Sequence, residues 1–390
     1  MVILPIGSGK GGVGKSLLAT NLAVALAEKG RTVALADLDL GASNAHTMLG
    51  IRTVSRGIGT FLSLPRMKFE EIVLPTEYDG LSFIPGDADI PGIANLKPAQ
   101  RRRLARCLEA LDADYLVLDL GPGAGANALD FFLLSASGIV VTTPALTAIL
   151  NAYLFLKNVV FRLMYATVEK GSGALGVLEE MRRDPGGLQK AYVPRIMERI
   201  GAEDPVSHAK LAAVLDRLKP RLVLNMLDDP ADADKMEKLR RSVREYLGIE
   251  LAHLGIIYRD ELQAVALGSR IPIVRYKPGS VLSRAVYRIA DKIVSAATVE
   301  ASSRPWPESP DGAAADAADD AGFQAAESEA ASDFQAMRRD LEDLLHSGAL
   351  TTGDLVEAVR TQQLELTTLR RENAILRARL LRAVREGVQA

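Results

Sequence analysis

The residues with the clearest chemical capacity lie near the start of the chain, where the run GSGKGGVGKS occupies Gly7 to Ser16. Its inner part, Gly9 to Ser16, has the spacing G-x-x-x-x-G-K-S, that of a loop which wraps a phosphate group. Gly9, Gly11, Gly12 and Gly14 remove side chains that would hold a phosphate away from the backbone. The N–H groups of Gly12, Val13, Gly14, Lys15, Ser16 and Leu17 then become inward-facing donors. Lys15 supplies a point charge for the β- and γ-phosphates, and the Ser16 hydroxyl a ligand for Mg²⁺. Asp119, in the run YLVLDLGPGAG at 115–125, ends an apolar stretch and is suited to hold the same ion through a water. Gly121, Gly123 and Gly125 follow it as a loop that can move when a phosphate leaves.

Such a loop works only if a strand delivers it and a helix receives it. Val2–Ile6 reads as a short apolar strand, and LLATNLAVALAEKG as the helix, capped at Gly30. Pro5 removes a ladder donor from that strand, so a bulge is expected there. Further apolar runs at 32–37, 82–85, 115–119, 138–142, 221–227 and 252–257 alternate with stretches long enough for helices. This alternation predicts an α/β fold: a doubly wound, mostly parallel sheet with helices on both faces and the ligand at the carboxyl ends of the strands.

Composition bounds the rest. The chain has 390 residues, 48% hydrophobic and 25% charged, with a net charge of −2, which excludes wholesale disorder and a nucleic-acid binder working by bulk charge. One cysteine, Cys107, excludes a disulfide framework and any multi-cysteine cluster made by one chain. His46, His208, His253 and His346 show no ligand spacing. With no signal-like start and no uninterrupted apolar run of about 20 residues, a cytoplasmic protein is expected. The organisation expected is a globular domain over 1–298, an Ala/Asp/Glu/Ser/Pro-rich linker over 299–332 and a helical tail over 333–390.

The second lysine of the loop, Lys10, makes KGGVGKS, which resembles the deviant phosphate loop of the MinD/ParA family of dimerising P-loop ATPases. The resemblance covers 1–298. It implies ATP and Mg²⁺ as ligands, and a homodimer in which Lys10 crosses to the partner's nucleotide. DLDLGASNAHTMLG at 37–50 is similar to the family's first switch segment. By that match Asp39 positions the attacking water, Asn44 helps to hold it, and Asp37 supports the Mg²⁺-bound water or the loop. Asn225, in RLVLNML, matches a family asparagine that reads the adenine edge. FlhG-like, flagellar-number members share that switch segment, GLSFIPGD at 80–87, ALDFFLLS at 128–135 and VVTTP at 140–144. They carry an N-terminal extension that stimulates a partner GTPase. This chain opens on the first strand, and that stimulation is not expected of it. The family's usual acid after TTP is Ala145 here, and 160–220 is a helical, mixed-charge insertion that MinD lacks. The cysteine pair of the iron–sulfur carrier branch is absent, which excludes that branch.

In the tail, Asp333–His346 reads as one helix, and a longer one runs from Thr351 or Asp354 towards Glu386. Leu355, Gln362, Leu369, Leu376 and Ala383 fall at d, and Val359, Leu366, Asn373 and Leu380 at a, a register that favours a two-stranded coiled coil. A helix packed back on the globular domain and a membrane-surface helix using Leu380, Leu381 and Val384 with nearby arginines are the alternatives. Three functions follow. The first is an ATP-driven dimerisation switch, stimulated by a protein partner, that regulates placement or assembly of a flagellar or polar structure. The second is a weakly hydrolysing scaffold. The third is a DNA-partition ATPase, disfavoured because no strong basic run is present.

Overall fold

The apolar runs become strands β1 (Val2–Gly7), β2 (Val33–Leu38), β3 (Leu74–Pro75), β4 (Leu81–Ile84), β5 (Tyr115–Leu120), β6 (Ile139–Thr142), β7 (Arg221–Leu227) and β8 (Ala252–Tyr258). The structure is a computed structural model and describes residues 1–41, 43–86, 95–183 and 192–300. The strands form one sheet in the order β3-β4-β2-β5-β1-β6-β7-β8. Every pairing is parallel except β3 with β4. β3 was not expected from the sequence: it is two residues long, too short to carry a periodic signal. β2 and β5 are buried at every position, as expected of central parallel strands covered on both faces.

The first half of the chain supplies helices α1 (Lys15–Glu28), α2 (Ala45–Met48), α3 (Ile58–Ser63), α4 (Pro98–Glu109), α5 (Ala126–Phe132) and α6 (Leu146–Thr167). The second half supplies α7 (Gly173–Arg183), α8 (Val193–Glu203), α9 (Pro205–Arg217), α10 (Asp234–Ser242), α11 (Leu262–Gly268), α12 (Ile273–Tyr276) and α13 (Val281–Glu300). Two cores result. One lies between the sheet and α1, α12 and α13; the other is built from α3 to α10 on the opposite face. α1 is buried continuously from Leu18 to Ala27, because it runs between the sheet and α12–α13, where the Val274 N–H donates to Asn21 Oδ1 at 3.2 Å. α6 is long and apolar enough to cross a bilayer, yet 72% of its most apolar window is buried inside the protein.

β1 carries no bulge at Pro5. Its register against β5 runs without a break from Val2–Tyr115 to Ile6–Asp119. The Val2 N–H faces β5, donating to Asp114 O, and the alternation of a strand then turns residue 5 to the β6 side. There the ladder begins only at Ile6–Ile139. The missing N–H of Pro5 therefore falls where no strand bond is made, and the strand stays regular.

The stretch 160–220 holds the end of α6 and then α7 to α9. α13 extends to Glu300, so its last two residues fall in the stretch read as linker. The rest of that linker and the coiled-coil register of the tail lie outside the described residues.

Candidate nucleotide-binding site

Three strand ends meet at one level of the sheet: Ile6 of β1 pairs with Asp119 of β5, which pairs with Asp37 of β2. The loop Gly7–Ser16 leaves β1 just above this level. Gly12 and Gly14 have φ of 77° and 91°, left-handed values that favour glycine. A Cβ at Gly12 would meet nothing within 4 Å, so the space in front of the loop is open for a phosphate. Gly9 is required for a different reason. A Cβ there would lie 1.8 Å from the carbonyl oxygen of Asn151, so the loop is pressed against the backbone of α6. Val13 is buried and anchors the far side of the loop.

Lys15 is only 6% exposed. Burial pulls its ammonium below the usual lysine range, and the negative charges of Asp119 and Asp39 push it back up. Asp119 is fully buried, and neither of its oxygens accepts a hydrogen bond of full geometry. Its pKa is pushed up to about 8, first by burial and then by the charge of Asp37, while the nearby Ser16 hydroxyl and Lys15 oppose the shift. A buried carboxylate with open lone pairs beside a serine hydroxyl fits a divalent cation, whose charge would restore the ionised form. Among the described residues no group of three or more His, Cys, Asp or Glu forms a metal cage. That suits Mg²⁺, which is held through few protein ligands, waters and phosphate oxygens.

Asp37 organises the loop of the switch segment. Its Oδ1 accepts from the Asp39 N–H at 3.1 Å, and its Oδ2 accepts from the Ser43 hydroxyl at 2.7 Å and from the N–H groups of Asn44 and Ala45 at 3.1 Å each. Burial still raises its pKa against these bonds. Asp37 thus shapes the turn that presents Asp39 and opens α2. Asp39 faces the second glycine loop: a Cβ at Gly121 would lie 3.4 Å from Asp39 Oδ1. Asn44 is exposed at the start of α2. Close approach again explains a glycine at Gly86, where a Cβ would come within 2.8 Å of Asp37 O.

The two loops are joined. The Gly123 N–H donates to Ser8 O at 3.0 Å, and the Ser8 hydroxyl donates to Lys10 O at 2.7 Å. Ser8, Ser43 and the Asn151 backbone were not singled out in the sequence. Their signal is weak, because small polar residues in loops are common and a backbone contact leaves no trace in residue type. Asn225 is 2% exposed, and its Nδ2 donates to Val13 O at 2.8 Å. The structure places it beneath the phosphate loop, holding the loop's backbone. Lys10, Lys15, Ser16, Asp37, Asp39, Asp119 and Asn225 therefore all belong to one end of the sheet. Behind the second glycine loop, Asp130 of α5 pairs with Arg101 of α4 and Arg162 of α6, each at 2.7 Å, tying three helices together.

A phosphate-wrapping loop between β1 and α1, with acids at the ends of β2 and β5, defines a P-loop nucleotide-binding protein. The first part of the chain is similar to the ParA family of P-loop NTPases. The ParA family model, described as a NUBPL iron-transfer P-loop NTPase, matches residues 1–181. The flagellum site-determining protein YlxH of Helicobacter pylori is 34% identical over 165 residues, 40% of this chain and 52% of that one. An iron–sulfur cluster carrier protein of Synechocystis is 34% identical over 188 residues, 46% of this chain and 49% of that one. The antiactivator FleN of Pseudomonas aeruginosa is 24% identical over 296 residues, 75% of this chain and 86% of that one. The chain thus spans about half the length of the first two relatives and most of FleN. The fold is that of the septum site-determining protein MinD of Pyrococcus horikoshii, solved with Mg-ADP, at a TM-score of 0.52 and 22% identity, over 77% of this chain and 99% of that one.

Proposed function

We propose that the chain is an ATP-binding and hydrolysing switch of MinD/ParA type that acts in the cytoplasm to regulate the placement or assembly of a cellular structure. The observation that carries this reading is the convergence of Lys15, Asp119 and Asp39 at one end of the sheet, with Lys15 buried beside the two acids. Loop N–H groups and Lys15 bind the phosphates. Ser16 and Asp119 would hold Mg²⁺, which supplies charge neutralisation to the β- and γ-phosphate oxygens. Asp39, held out by the Asp37-centred turn, orients the attacking water, with help from Asn44 at the start of α2. Departure of the γ-phosphate is sensed where Asp39 meets Gly121, and the Gly123–Ser8–Lys10 bonds carry the change back to the first loop.

The similarity to YlxH and FleN supports a flagellar or polar process, with a homodimer closed by ATP and a protein partner that stimulates turnover. An iron–sulfur role is the second reading, because such carriers also match. The single cysteine of the 390 residues, Cys107 on α4, opposes it. A DNA-partition role needs free basic charge. In the richest run, QRRRLAR at 100–106, Arg101 pairs with Asp130 and Arg103 lies 4.2 Å from the ring centre of Phe61. A membrane surface reached through the tail remains part of the proposal. The test is phosphate release with Mg²⁺-ATP alongside sedimentation with and without the nucleotide. Turnover accompanied by an ATP-dependent rise in mass supports the switch. Tight ATP binding without turnover favours the scaffold, and no ATP binding overturns both.

A further inference from the structure

The exposed apolar surface is concentrated in one place. Of the ten exposed large apolar side chains among the described residues, six fall within 262–281: Leu262, Val265, Leu267, Ile271, Tyr276 and Val281. That stretch holds α11, α12 and the start of α13. Exposure grouped in this way marks an interaction surface. Asp260 draws the starts of α11 and α13 together. Its Oδ1 accepts from the Leu262 N–H at 3.1 Å, and its Oδ2 from the Leu282 N–H at 3.3 Å. Leu262 and Val265, one turn apart on α11, therefore belong to the same end of the molecule as Val281. From Val281, steps of three and four residues along α13 reach Arg284 and Arg288, both exposed.

The charge of this face is one-sided. Between 261 and 290 the chain has five lysines and arginines and one acid, Glu261. Arg275 is engaged with Glu28. Arg270, Lys277, Arg284 and Arg288 are exposed and make no side-chain ion pair among the described residues. The same chain holds the complement. The stretch 308–333 has eight acids and no lysine or arginine, with Phe323 inside it and Trp306 just before it. α13 has 20 residues, so Val281 lies about 28 Å back along the helix from Glu300. Phe323 follows Glu300 by 23 residues, and a flexible coil of that length would span roughly 26 Å. We propose that the apolar, basic face of α11, α12 and the start of α13 is a docking surface for the acidic segment 308–333 of the same chain. Phe323 supplies the apolar contact, and the acids meet Lys277, Arg284 and Arg288. The face adjoins the end of the switch segment, where a Cβ at Gly50 would lie 3.1 Å from Arg270 O. Docking is compatible with a paired tail, because 334–354 still separate the acidic stretch from the heptads.

The experiment is zero-length carbodiimide crosslinking of the full chain, mixed from isotopically labelled and unlabelled protein, with the products mapped by mass spectrometry. Lys277, the lysine among the four free cations, should join to acids of 308–333 within one chain. Arg284→Glu with Arg288→Glu should cut that yield at least about fivefold, because two attractions become repulsions. It should also move the emission of Trp306, the single tryptophan, to longer wavelength. Asp316→Asn with Asp319→Asn and Asp320→Asn alters the segment instead of the face and should lower the yield in the same direction, which guards against a folding defect in the first variant. An unchanged yield in both variants overturns the proposal, as does the absence of any crosslink from Lys277 to 308–333. Crosslinks chiefly between labelled and unlabelled chains overturn it too, and make the face an interface between copies. A parent without the crosslink that binds phosphatidylserine vesicles through Arg284 and Arg288 assigns the face to a membrane, and the proposal falls.

Discussion

Lys15 and Lys10 share one loop but differ in what surrounds them. Lys15 is buried, and the nearby Asp119 and Asp39 oppose the effect of that burial on its charge. Lys15→Ala should therefore abolish ATP binding, since the phosphates lose their main point charge. Lys10→Ala should leave binding nearly intact and reduce ATP-driven closure and turnover, if Lys10 serves a second protomer. Nucleotide titration with turnover on both variants separates them, and equal loss of binding would remove the special role of Lys10. Asp39 carries the other residue-scale expectation. Asp39→Ala should keep ATP and Mg²⁺ but hydrolyse at least about tenfold more slowly, roughly 1.4 kcal/mol of barrier. It should accumulate the closed form. Hydrolysis at the parental rate would take the switch assignment away from Asp39.

At the scale of elements, legibility in the sequence followed periodicity and chemistry. The phosphate loop, its strand and helix, and six further strands were readable because short apolar runs are closed by glycine, proline or polar residues. Two features were not. β3, of two residues, has no period, and the regularity of β1 at Pro5 depends on which neighbour residue 5 faces, a property of the sheet order. The site was legible as residue types but less so as partnerships. Asn225 was visible as a polar residue ending a strand, but not as a bond to Val13 from 212 positions away. The helices of 160–220 offer a test of local chemistry. Asp204 opens α9, accepting from the Ser207 N–H at 3.0 Å. That bond holds its carboxyl below the usual carboxylate range. A depressed folded value means that the stabilisation is present in full above the unfolded pKa and is lost as the pH falls through the folded one. Asp204→Ala should lower the melting temperature at about pH 7, as loss of an N-cap does, and the deficit should shrink as the pH falls below the unfolded carboxylate value of about 4. A deficit independent of pH would mean that Asp204 acts through packing.

At the scale of the whole molecule, the heptads of the tail and the switch in the globular domain make a joint expectation. A parallel homodimer over 355–383 would tether two ATPase domains whatever nucleotide is bound. The linker expected over 299–332, about 33 residues, would as a flexible coil have a root-mean-square span of roughly 30 Å. That corresponds to an effective concentration of order millimolar, so closure around ATP becomes an intramolecular step. ATPase activity per molecule should then be nearly independent of protein concentration in the full chain. A chain ending at Glu300 should be monomeric without ATP, and its activity per molecule should rise with concentration. Asn373→Leu should strengthen association while admitting other oligomers and registers, because a buried amide no longer penalises them. Sedimentation of the peptide 333–390 is the direct measurement. A monomeric peptide removes the tether and leaves a different partner, a helix packed on the ATPase domain, or a membrane surface, and vesicle binding tells the last from the others.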